Sequence, residues 1–124
     1  MSTPELVRFE AAEANERGDR PGIFAVFKAL RESGRLSPAD AALASELVDR
    51  SYRVHDEPDA AHFDTVPKAR SWFRADAPRE VWQLVDDLLA MLDTYGVGWR
   101  EVRTADPGRI TYVDDRQVVA VPHE

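Results

Sequence analysis

The sequence predicts an α+β domain in which a small antiparallel sheet packs against three helices. Helical apolar spacing recurs in three separate stretches, 21–34, 37–53 and 78–96. Short alternating segments with turn residues between them fill 97–121, the pattern of half-buried strands. A chain of 124 residues, 44% hydrophobic and 31% charged, can build one core and is too short for two. Residues 1–124 are therefore read as a single globular domain.

The first element is a strand by its alternation. Thr3 and Pro4 could cap a helix, but Val7, Phe9 and Ala11 alternate with Arg8 and Glu10, as in a strand with one buried face. A polar linker over 15–20 follows, and Pro21 stands where a first helical turn tolerates it. Ile23, Phe24, Phe27 and Leu30 then recur at helical spacing until Gly34, a natural stop. Ser37-Pro38-Ala39-Asp40 reads as a new N-cap, with proline at the first position and an acid three residues after the serine. The helix it opens should run to about Arg53, with Leu43, Leu47, Val48 and Tyr52 on its apolar face. Residues 55–65, HDEPDAAHFDT, read as a loop, and the segment that follows as a short strand or a tight irregular segment. The third helix is the clearest: Pro78 near its start, then Val81, Trp82, Val85, Leu88, Leu89 and Leu92, with Gly96 as a left-handed stop. Strands are expected over 97–103, 109–113 and 117–121. Ala105-Asp106-Pro107-Gly108 and Asp114-Asp115-Arg116 form the turns between them. Connections that short imply a three-stranded antiparallel meander, a sheet that the N-terminal strand could join or leave to itself.

Charge narrows the function classes. The formal net charge is -7, from 16 basic and 23 acidic side chains, which disfavours gripping nucleic acid or anionic lipid and favours a basic partner. The excess is local: residues 36–65 carry seven acids against Arg50 and Arg53, hence -5 of the total. There is no cysteine, which removes disulfides, thiol nucleophiles and thiolate metal sites. The N-terminal residues lack the pattern of a secretory signal, and no window reaches the length of an apolar membrane span, so a cytoplasmic protein is expected. Sixteen cations include two lysines, Lys28 and Lys68, and so fourteen arginines, a bias of high-GC bacterial genomes.

Three constellations could carry chemistry. His55, Asp56, Glu57, Asp59, His62 and Asp64 offer N and O donors that a zinc, manganese or iron(II) ion could take, with His55 and His62 as imidazole ligands of a small metal-dependent enzyme. Their seven-residue spacing matches no established motif. Lys68, Arg70, Trp72, Phe73 and Arg74 interleave cations with aromatics, as a ligand- or nucleotide-binding module does, although the overall acidity makes nucleic acid an unlikely partner. One of these aromatics should pack inward. Adjacent acids at Asp86-Asp87 and Asp114-Asp115 are explained by a helix surface and a turn, and GxSxG is absent. Of the three tryptophans, Trp72, Trp82 and Trp99, an exposed one would mark a partner surface.

The segments Gly22-Ile23-Phe24, Leu30-Arg31-Glu32, Ser71-Trp72-Phe73-Arg74, Pro107-Gly108-Arg109-Ile110, Tyr112, Asp114 and Gln117-Val118-Val119 carry a resemblance over about residues 20–122. Together they resemble a group of small uncharacterised actinobacterial proteins. The resemblance implies one cytoplasmic bacterial domain and assigns no reaction or site.

The expectation is then a small cytoplasmic protein that binds another macromolecule without any cofactor. An acidic surface would meet a protein with a basic face, as in an immunity or antitoxin-like inhibitor. The residues expected to carry it are Asp49, Asp56, Glu57, Asp59, Asp64, Trp72 and Arg74.

Overall fold

The computed structural model describes residues 5–54 and 69–123. Among them, in chain order, run β1 (Leu6–Ala11), α1 (Ile23–Glu32), α2 (Pro38–Val54), β2 (Arg70–Arg74), α3 (Arg79–Thr94), β3 (Trp99–Thr104), β4 (Arg109–Val113) and β5 (Gln117–Val121). The α+β class holds: five antiparallel strands form one sheet, and the helices pack on it.

Local chemistry sets the helix ends. The Asp40 backbone N–H donates to the Ser37 hydroxyl at 3.1 Å, so Ser37 caps α2 as its sequence predicts. α3 ends in a Schellman motif: Val97 N–H reaches the Leu92 carbonyl at 2.9 Å and Gly96 N–H the Asp93 carbonyl at 3.1 Å, with Gly96 at φ +68. Tyr95 ties the two helices together. Its hydroxyl donates to Asp40 at 2.6 Å and accepts the Ser37 N–H at 3.1 Å.

The sheet order β3-β1-β2-β5-β4 corrects the expected meander. β4 and β5 form the predicted hairpin, but β3 pairs with β1 along its whole length, from Leu6↔Thr104 to Ala11↔Trp99. β3 and β4 therefore lie at opposite edges, although four residues join them. Thr104 leaves β3 beside Leu6, whereas Arg109 enters β4 beside Val121, at the other end of the sheet. With strands about 4.8 Å apart, those corners of a flat sheet would be more than about 20 Å apart. The steps from Thr104 to Arg109 reach at most about 18 Å. The sheet is consequently coiled, and the link over 105–108 crosses it diagonally with Pro107 buried.

Strand alternation gives the sheet two unlike faces. Val7, Phe9 and Phe73 point to the helices and meet Phe27, Leu30, Leu47, Val81, Leu84, Val85, Leu88 and Leu92. Five aromatic rings brace this layer, with Phe9 5.9 Å from Trp99 and Phe73 5.9 Å from both Phe24 and Trp82. Leu6, Arg8, Glu10, Trp72 and Val118 point the other way by register. On α2 the buried residues are Ala44, Leu47 and Val54, while Leu43 is 44% and Tyr52 68% exposed. Leu47 and Val48 thus hold their predicted place against the core, while Leu43 and Tyr52 do not. The stripe at 44, 47, 51 and 54 follows the helical period, and small Ala44 lets α2 approach closely.

Candidate functional site

The acidic excess divides between two places. Asp40, Glu46 and Asp49 lie on α2, while His55, Asp56, Glu57, Asp59, His62, Asp64 and Lys68 fall outside the described residues. The proposed imidazole ligands therefore fall there too. Among the described residues no group of three or more His, Asp or Glu side chains is placed to hold a metal ion.

α2 packs alongside α3, and the groove between them is lined by Asp40, Leu43, Asp87, Ala90, Met91 and Thr94, with a volume of about 290 Å³. Its floor is apolar. One acid stands at each end: Asp40, held by the Tyr95 hydroxyl, and Asp87, paired with Arg50 across the helices. Elsewhere on the two helices Glu46, Asp49 and Asp86 are exposed and make no side-chain hydrogen bond among the described residues. Asp93 accepts the Trp99 indole N–H at 2.9 Å. The groove thus sets an exposed leucine between two acids, on helices that carry further exposed negative charge, which is the makeup of an interface with a charged rim and an apolar anchor.

Trp72 and Arg74 are not part of this surface. Both sit on β2 with side chains on the face turned away from the helices, so the structure separates them from Asp49. Phe73 is the aromatic that packs inward. Trp72 is half-buried, with its indole N–H enclosed and without an acceptor, so it offers little exposed area. Arg74 grips Asp76 with two hydrogen bonds, at 2.9 and 3.0 Å, and donates to the Asp114 carbonyl. The bond from Arg74 holds the Asp76 carboxyl below the usual carboxylate range.

Leu43, like Tyr52, lies outside the buried face that the sequence predicts for α2, and its misplacement hid the groove. The signal was present: a stripe through 44, 47, 51 and 54 leaves Leu43 unaccounted for, and a large apolar residue outside a helix's buried stripe marks a surface. No helix among the described residues is long and apolar enough to cross a membrane. No protein-family model, curated protein or solved structure matches the chain.

Proposed function

We propose that the protein binds another protein, docking a basic amphipathic segment of its partner in the groove between α2 and α3. The observation that carries this reading is the exposed Leu43, set between acids on two helices whose remaining apolar residues are mostly buried. Such a surface gives a partner two things in sequence. The negative field accelerates encounter with a basic face, and the apolar floor then supplies the desolvated contact that slows dissociation. An immunity or antitoxin-like inhibitor that covers a basic cleft is the sharpest form of this activity. It requires no cofactor and no bond rearrangement.

The test uses two variants of unlike chemistry. Leu43→Asp removes the anchor, and Glu46→Lys with Asp49→Lys reverses the rim; both sets of side chains are exposed, so each variant should melt within a few degrees of the parent. A partner captured from the native host at low salt should be lost with Leu43→Asp, and should weaken with the reversed rim and with rising salt. A partner that both variants hold as tightly as the parent does would refute the reading.

A further inference from the structure

β1 and β2 part company after two residue pairs. They are in register at Leu6↔Arg74 and Val7↔Phe73, after which Glu10 pairs instead with Gly22 and the Ala11 N–H donates to the Pro21 carbonyl at 2.8 Å. β2 and the segment over 20–22 are thus two prongs of a fork beside β1. The Arg8 guanidinium lies in that fork. Its Nη1 donates to the Ser71 carbonyl on one prong at 2.9 Å, its Nη2 reaches the Arg20 carbonyl on the other at 3.5 Å, and its Nε donates to Glu10 at 3.0 Å. Gly22 leaves it room, since a Cβ there would stand 3.2 Å from Nη2. A guanidinium has five N–H donors, and three are used.

The fork opens into a cavity of about 380 Å³, within the size range of small-molecule pockets. Among the described residues four arginines line it, Arg8, Arg17, Arg20 and Arg70, with one acid, Asp19, in the lining and Glu10 paired with Arg8. Asp19 reaches Arg70 at 3.4 Å, while the guanidinium groups of Arg17 and Arg20 have no acidic partner among the described residues. The loop that carries them is ordered from within: the Asn15 side chain accepts the N–H groups of Arg17 and Asp19, both at 3.0 Å, and Gly18 turns at φ +81. Arg8 keeps Glu10 as its own counter-ion; burial lowers its pKa, and the bond and charge of Glu10, which raise it, do not fully offset that burial and the nearby charge of Arg70.

Two further features select the ligand. The cavity wall includes the start of α1, where Gly22 stands as N-cap with no side-chain cap and the first turn holds no acid, so the positive end of the helix faces the same space. Phe9, Phe24 and Phe73 form an apolar wall beside the cations. Guanidinium groups make paired bonds to oxyanions, and three of them at a helix start can satisfy more acceptor oxygens than one carboxylate presents. The site is recessed in an acidic molecule, whose field disfavours a long polyanion.

We propose that the fork binds a small molecule carrying a phosphate group, held by Arg17, Arg20 and Arg70 at the start of α1, with its uncharged part against Phe24. This site is independent of the α2–α3 groove.

Titration of the isotope-labelled protein with inorganic phosphate, pyrophosphate and adenosine monophosphate at constant ionic strength tests it. At least one of the three should move the amide signals of Gly22, Ile23 and Ala25 saturably, while sodium chloride does not. Arg17→Gln with Arg20→Gln should weaken that binding by about tenfold or more and leave melting within about 2 °C; Arg20→Gln alone provides the same comparison should the double variant fold poorly. No saturable shift up to about 10 mM, or equal affinity in the variants, would overturn the proposal. So would a response to a single-stranded oligonucleotide without one to the three small anions, which would assign the arginines to nucleic acid.

Discussion

Glu10 is the counter-ion for two guanidinium groups of unequal burial, and replacing it by Ala separates their contributions. The side chains of Arg8 and Glu10 are each 10% exposed and meet at 3.0 Å, whereas Arg100, which reaches Glu10 at 2.6 Å, is 47% exposed. Loss of a half-exposed pair costs at most about 1 kcal/mol. Arg8 is different. Without Glu10 its charge has no counter-ion and its Nε has no acceptor, and a buried pair broken from one side costs about 3–5 kcal/mol. A chain of 124 residues carries on the order of 6–19 kcal/mol in total, so Glu10→Ala removes a large share of it. At about 4 °C per kcal/mol, Glu10→Ala should melt about 12–20 °C below the parent and Arg100→Ala no more than about 4 °C below. Urea unfolding followed by circular dichroism gives both free energies, provided the m-values agree. Arg8→Met combined with Glu10→Leu should lose less than Glu10→Ala, because a matched apolar pair leaves no charge stranded. Equal costs for Glu10→Ala and Arg100→Ala would refute the reasoning, since burial would then not decide the energy of the pair.

Two other outcomes follow from single side chains. The Asp114 carboxylate accepts the N–H groups of Arg116 at 2.8 Å and Gln117 at 2.9 Å and the Tyr112 hydroxyl at 3.0 Å; burial pushes its pKa up, but these bonds outweigh that and hold it below the usual aspartate value. A depressed folded pKa stabilises above the unfolded value of about 3.9 and ceases to do so as pH falls through the folded value. Asp114→Asn should therefore cost about 1–2 kcal/mol at neutral pH, with the gap to the parent closing in strong acid; a gap independent of pH would contradict this. Gly108 has φ +113, and a Cβ there would overlap the Val121 carbonyl and crowd Pro122, so Gly108→Ala should cost at least about 2 kcal/mol in urea unfolding. A near-neutral result would mean that the link over 105–108 is not closely applied to β5.

Much of the fold was legible in residue order because the signals are local. Ser37 caps α2 through its own neighbour's N–H, Gly96 accepts the left-handed turn that ends α3, and Val7 and Phe9 alternate with Arg8 and Glu10 as one buried face demands. Strand pairing was not legible to the same degree. A short connection between two strands normally makes a hairpin, yet β1 outcompetes β4 for β3 because six register pairs with Leu6–Ala11 are available there. The preference depends on residues about ninety positions away, which no local window contains. Leu43 was misread for a related reason, since either of two overlapping stripes satisfies helical spacing until the position of α3 selects one.

Charge shows the division most sharply. Residues 1–35 balance, with six acids and six bases, and nothing in their order marks a cationic site. The acidic character of α2 is already visible in sequence because consecutive turns of one helix carry it. The basic fork is not, because it is assembled from Arg8 on β1, Arg17 and Arg20 in a loop, and Arg70 on β2, brought together where two strands diverge. Helix ends, turns and the face of each strand follow from interactions within a few residues. The order of the strands, and every site that lies between them, follows from which distant surfaces bury each other best, and that is settled only when the whole chain packs.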